Sequence, residues 1–305
     1  MPAGRGRNIR GVNLSARGEL LATNRPTPRY IDEHFARVED RWDTDANPDG
    51  YVSMCIAENK LVWDLLGPKL AAGREVPPRV VEYDAMVGTA SFREALATFL
   101  ERHIVGRSID PDHVIALAGA GTVLEMLFYT IADPGEGILV PTPSYSGFWP
   151  DIETRDKLQI IPAHTTSESG FRLTVDQLDD AVAAASVPVR ALLFTSHNNP
   201  LGCVYSRDEL EEIITWAETR EIHLVLHELF ALSVYGEAAF VSGASLRPAL
   251  GPRTHLVWAF SKDFAASGLR CGILVSENEG IRQAVDGLAY WAALSGDTQF
   301  VLEQM

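Results

Sequence analysis

Between residues 114 and 275 the chain alternates short, continuously apolar runs with stretches of helical periodicity. No other feature narrows the fold as much. The runs 114–118, 137–140, 158–162, 191–195, 223–226, 255–260 and 271–275 read as strands. The segments 122–131, 175–185 and 207–220 read as helices between them, and 91–103 as an amphipathic helix before them. Strands that are apolar throughout are buried on both faces, which indicates an α/β domain with a mostly parallel sheet covered by helices. In such sheets sites gather at the carboxyl ends of the strands. The turn Gly119-Ala120-Gly121, Asn199, His227 and Lys262 all fall at or just after those ends.

Charge and cysteine usage exclude several classes of function. A net charge of −15 disfavours nucleic acid and anionic membranes as partners. No run of 18 apolar residues is present, so nothing reads as a membrane span. Residues 1–17 are basic without an apolar centre and read as a loose arm rather than a secretory signal. Cys55, Cys203 and Cys271 have no paired spacing, which argues against a disulfide framework or zinc site and fits a reducing cytoplasm. His223 and His227 are four apart, but four residues of strand span ~13 Å, too far for one metal ion. No metal site is assigned.

Lys262 follows an apolar strand in Trp258-Ala259-Phe260-Ser261-Lys262-Asp263. The other lysines are Lys60, Lys69 and Lys157; basic positions here are otherwise arginine. An amine can form a Schiff base and a guanidinium cannot, so this position suggests lysine-specific chemistry. A surface lysine is the plain alternative. The Gly119-Ala120-Gly121 turn joins a strand to a helix and lets backbone N–H groups approach an anion. Its spacing matches neither a Walker loop nor a dinucleotide fingerprint, and such turns also serve packing alone. Arg270, eight residues past Lys262, is a candidate bidentate phosphate partner or a surface ion-pair residue.

With these residues in place the chain resembles fold-type-I pyridoxal-phosphate enzymes of the class I/II aminotransferase family. It is most similar to the aminocyclopropane-carboxylate synthase branch. The likeness rests on Asn47-Pro48-Asp49-Gly50, Ala57-Glu58-Asn59, Gly106-Arg107 with Asp110-Pro111, and Ala132-Asp133-Pro134-Gly135. It continues through Val140-Pro141-Thr142-Pro143-Ser144-Tyr145, Asn199-Pro200-Leu201-Gly202 and Ser261-Lys262-Asp263. The resemblance implies pyridoxal 5'-phosphate as cofactor, with Lys262 as its attachment point. Asn199 would bond the phenolic oxygen and Tyr145 would stack on the pyridine ring. Arg270 and the amides around Ala120 and Gly121 would hold the phosphate. Glu58 would face substrate; as a residue it is also readable as a helix cap or surface carboxylate. The resemblance also implies a homodimer, with the segment 83–88 completing the neighbour's site. Residues 1–50 would be an N-terminal arm and part of a small domain, and 51–305 the coenzyme-binding large domain. The chain would then stop in a helix (298–305), before a C-terminal small domain that carries the substrate's carboxylate clamp.

The departures from the family pattern bear on chemistry. His227 stands where the family has the Asp that pairs with the pyridine nitrogen. Phe230 replaces a Tyr, Ala259 a phosphate-binding Ser, Gly121 a Thr, Met86 a Tyr, and Asn198 the usual Ser. A neutral His donates to an unprotonated pyridine nitrogen or accepts from a protonated one; either way the ring withdraws electrons less strongly. That favours elimination or substitution on an amino acid or S-adenosylmethionine over simple transamination. Two alternatives stand beside it: an ordinary aminotransferase that tolerates His227, and a degenerate homologue that keeps only the fold.

Overall fold

The computed structural model of the protein describes residues 14–24, 26–72 and 74–305. These divide into two compact units, one of the described residues up to 57 with 146–150 and one of those from 58 to 145 with 151–305. In the first, the part of the basic arm up to residue 13 lies outside the described residues. The expected loose arm gives way at Ser15, whose hydroxyl accepts from the Gly18 N–H and caps helix α1 (Ala16–Thr23). Helix α2 (Arg29–Arg37) follows. The turn at Asn47 is held by its side chain, which donates to Asp40 Oδ1 and to the Arg41 carbonyl at 2.9 Å each.

The second unit opens with α3 (Trp63–Ala71) and α4 (Ala90–Leu100). The helix expected over 91–103 changes pitch at its end. Residues Glu101–Val105 widen to a π-turn, closed by Gly106 at φ 72. The unit then alternates as expected: β1 (Val114–Leu117), α5 (Ala120–Ile131), β2 (Gly137–Thr142), α6 (Phe148–Glu153, which straddles the unit boundary) and β3 (Gln159–His164). Next come α7 (Val175–Ala184), β4 (Val189–Thr195), α8 (Arg207–Thr219), β5 (His223–His227) and β6 (Thr254–Ala259). The chain finishes with α9 (Phe260–Asp263), β7 (Gly272–Ser276), α10 (Glu279–Ala289) and α11 (Gly296–Glu303). Helices α7 and α8 begin with capping boxes, Thr174 with Gln177 and Ser206 with Glu209, which fix where each helix starts.

Among the described residues the strands form one sheet in the order β1-β7-β6-β5-β4-β2-β3. Strands β2 to β6 pair in parallel, while β7 is antiparallel to both β1 and β6. The exception has a local cause. The β6–β7 connection contains only the short α9 and a few turns, whereas a parallel neighbour needs a crossover that spans the sheet. Strands β1, β6 and β7 are buried at every residue, and β4 and β5 in their inner turns. Trp258, Phe92, Phe128 and Phe194 are the bulkiest described side chains of this interior. Burial on both faces leaves the strand ends as the place for polar chemistry.

Candidate functional site

Strands β4 and β5 end level with one another, and β6 runs on two residues past them to Ala259. Thr195 of β4 pairs with His227 of β5, and His227 with Val257 of β6. What leaves these ends builds the candidate site. From β6 the chain turns directly into α9, which carries Lys262. From β4 it runs into the loop bearing Asn199. From β1 it runs into the Gly119 turn and α5.

The Gly119 turn is shaped by two close approaches. Gly119 has φ 105, a conformation that disfavours any side chain. A Cβ there would collide with Nη2 of Arg270, so the guanidinium lies directly over the turn. A Cβ on Gly272, at the start of β7, would collide with the backbone of Gly119 and Ala120. Helix α5 has no side-chain cap at its N-terminus. Its first-turn amides therefore point at whatever stands beside Arg270. Bare amides, a glycine cradle and a guanidinium are what a phosphate requires, so these residues fit the phosphate of pyridoxal phosphate.

Lys262 is half-buried. Burial lowers its pKa below the ordinary lysine value; the Glu58 carboxylate opposes this and the Arg270 guanidinium adds to it. Glu58, Arg270 and Lys262 thus act on one another electrostatically. Glu58 caps no helix: it lies in an irregular segment and pairs with Lys60 at 3.3 Å. His227 is buried, and burial holds its pKa down at about 4, so the ring is neutral at pH 7. Phe230, three residues on, is partly buried.

Asn198 does what the sequence did not reveal. Its Nδ2 donates to the Pro143 carbonyl at 3.3 Å, and its Oδ1 accepts from the Leu201 N–H at 3.2 Å. One side chain thereby ties the loop of the half-buried Asn199 to the segment that leads into Tyr145, which is 42% exposed.

Sequence reasoning also missed Asp151. Both of its carboxylate oxygens lie 3.3 Å from where a Cβ on Gly121 would stand, against the first turn of α5. Burial and the nearby Glu125 push its pKa up to about 6. Asp156 is raised to about 7, first by burial and then by Glu125, with Arg155 opposing. Nothing in the spacing of these acids marks them, because it is the fold that brings α6 alongside α5. Met86, by contrast, lines a separate surface cavity of about 430 Å³ with Tyr83, Tyr290 and Phe300.

Solved structures of aminotransferases share this architecture. Aromatic aminotransferase from Pyrococcus horikoshii OT3 superposes with a TM-score of 0.68 at 25% identity, over 82% of this chain and 64% of that one. The chain belongs to the aminotransferase class I and II family, whose model matches residues 70–305. Members of this family depend on pyridoxal phosphate. Curated relatives include a Mus musculus protein named "Probable inactive 1-aminocyclopropane-1-carboxylate synthase-like protein 2". It is 33% identical over 86% of this chain and 48% of that protein. Another is 1-aminocyclopropane-1-carboxylate synthase 4 of Oryza sativa subsp. japonica, 33% identical over 87% of this chain and 60% of that protein. The chain thus spans about half the length of the curated relatives it matches.

Proposed function

We propose that residues 51–305 form the coenzyme-binding domain of a pyridoxal-phosphate-dependent enzyme that acts on an amino acid or on S-adenosylmethionine, by elimination or substitution in preference to transamination. The observation that carries this reading is the Arg270 guanidinium laid over Gly119 at the uncapped start of α5, with the Lys262 amine within the field of the same arginine.

When bound, the coenzyme supplies an aldehyde that condenses with amines and a pyridine ring that withdraws electrons. The chain's own residues would do the rest. Arg270 and the amides of Ala120 and Gly121 hold the phosphate. Lys262 would be the attachment point of the coenzyme, and the burial that lowers its pKa would ease loss of its proton. Asn199 would donate to the phenolic oxygen and Tyr145 would cover one ring face. His227, neutral at pH 7, offers the ring nitrogen one hydrogen bond without a compensating negative charge. The Glu58 carboxylate, which acts electrostatically on the amine, would draw a substrate's cationic group. The working unit is a homodimer, to which the 97% exposed Tyr83 and its cavity contribute a surface.

The test is direct. The purified chain with pyridoxal phosphate should absorb in the visible, and borohydride should fix the coenzyme to Lys262; Lys262→Ala should abolish both. Equal labelling of Lys60, Lys69 or Lys157 refutes the assignment. A keto-acid amino-acceptor assay then separates the two reaction types, and rapid amino transfer decides for an ordinary aminotransferase.

A non-catalytic reading draws on a different observation, the replacement of the ring-nitrogen carboxylate by a neutral His227 in a chain with a relative that bears the name inactive. Absence of any coenzyme capture would favour it.

A further inference from the structure

We infer that Asp263 is a positioning residue for Lys262, tying the turn that carries the lysine to the loop that leaves His227. Its chemical purpose rests on the coenzyme reading above; its geometry does not. Oδ2 of Asp263 accepts from the Trp258 indole N–H at 2.9 Å and from the Leu232 backbone N–H at 3.2 Å. Oδ1 accepts from the Ser233 hydroxyl at 2.8 Å. A single carboxylate therefore joins β6, through Trp258, to the loop after β5, through Leu232 and Ser233.

The anchor on the β6 side is packed in the interior. Trp258 is fully buried, with ring centroids 5.1 Å from Phe99, 4.8 Å from Phe260 and 6.0 Å from Phe264. Helix α9 is only four residues long and is followed by Ala265 at φ 54. A single turn of helix does not hold itself together, because helix formation is cooperative. The tertiary bonds of Asp263 supply what the turn lacks. They also hold an ionised group against the cost of burial: burial raises the Asp263 pKa, and the three donors, Trp258 first, counter it. A turn that needed no fixed position would not require a partly buried carboxylate with three donors. The position of the Lys262 amine sets its burial and its distances from Glu58 and Arg270, the three influences on its protonation.

The experiment uses the full chain without coenzyme. Each lysine is reductively methylated with formaldehyde across a pH series and quantified by peptide mass spectrometry, with Lys60, Lys69 and Lys157 as internal controls. Asp263→Ala should move the Lys262 midpoint upward, toward the ordinary lysine value, while the controls stay put. Ser233→Ala, which removes one cross-loop bond, should move it the same way by less, with little change in melting temperature. Ser233→Thr should restore the wild-type midpoint. An unchanged Lys262 midpoint in Ser233→Ala and Asp263→Ala overturns the inference, and Ser233→Ala decides alone if Asp263→Ala does not fold. In a second arm, with pyridoxal phosphate added, Asp263→Ala should slow covalent capture at Lys262 by roughly ten- to a hundred-fold, the scale of a small misplacement of a reacting group. Failure of capture in the wild type sinks the coenzyme reading and leaves the midpoint arm to judge Asp263.

Discussion

The guanidinium of Arg270 occupies the space in which a side chain on Gly119 would have to stand. The two residues are far apart in sequence, and Gly272 brings them together by admitting the backbone of the turn against β7. Gly119→Ala should therefore act in two ways. The φ of 105 with ψ 159 penalises any L side chain by about 1–3 kcal/mol, and the new methyl displaces the arginine. Melting temperature should fall by a few degrees, and coenzyme affinity should fall by more than the stability change explains. Titration of Gly119→Ala and Arg270→Ala with pyridoxal phosphate checks this; equal affinities in wild type and both variants would remove the phosphate role.

Glu58 raises the pKa of Lys262 while burial and Arg270 lower it. Glu58→Gln should therefore shift the Lys262 titration downward and leave more free amine at pH 7. Its ion pair with Lys60 is largely exposed, so stability should change by less than about 1 kcal/mol. The methylation midpoint of Lys262 and a thermal melt test both halves. An upward shift would place Glu58 outside the site.

Asp151 and Asp156 give the fold an acid-side preference. Their folded pKa values, about 6 and about 7, lie above the ordinary aspartate value. Between pH 4 and pH 7 the folded state therefore binds more protons than the unfolded chain. Stability from these groups is present at low pH and is lost as pH rises through that window. Neither Asp156 oxygen has a hydrogen-bond partner among the described residues, so its ionised form is poorly compensated. Asp156→Asn should flatten the pH profile and raise stability at pH 8 by roughly 1–3 kcal/mol. Denaturant titrations at pH 5 and pH 8 provide the measurement; identical slopes in wild type and variant would contradict it.

Much of this architecture was legible in the sequence, and the reason is period. Continuous apolar runs such as 191–195 and 255–260 have no polar face, so they had to be interior strands, and their ends had to carry Lys262 and His227. The antiparallel direction of β7 was not legible, because an apolar run reads the same either way; the short link from β6 decides it. Arg270 was singled out by spacing from Lys262, but its seat over Gly119 depends on the close approach of Gly272. Asp151, Asp263 and Asn198 were invisible as site elements for a common reason. Each acts on neighbours supplied by other segments, and tertiary contacts leave no periodic trace.

His227 separates a working coenzyme pocket from a vacant one. The ring is buried and held neutral by burial, and the position is the last of β5, paired with Thr195 of β4 and Val257 of β6. If a pyridine nitrogen is its partner, His227→Asp with Phe230→Tyr introduces a carboxylate that the ring would hold as an ion pair. The tyrosine adds a hydroxyl near the phenolic oxygen. Coenzyme affinity should rise, amino transfer to a keto acid should increase, and the proposed elimination or substitution should fall. If no coenzyme enters, the new carboxylate is buried without a counter-charge and costs several kcal/mol. Affinity and melting temperature of the double variant, measured with and without pyridoxal phosphate, therefore move in opposite senses under the two readings. Lost stability with no gain in affinity would mean that the pocket at His227 is not used for the coenzyme ring.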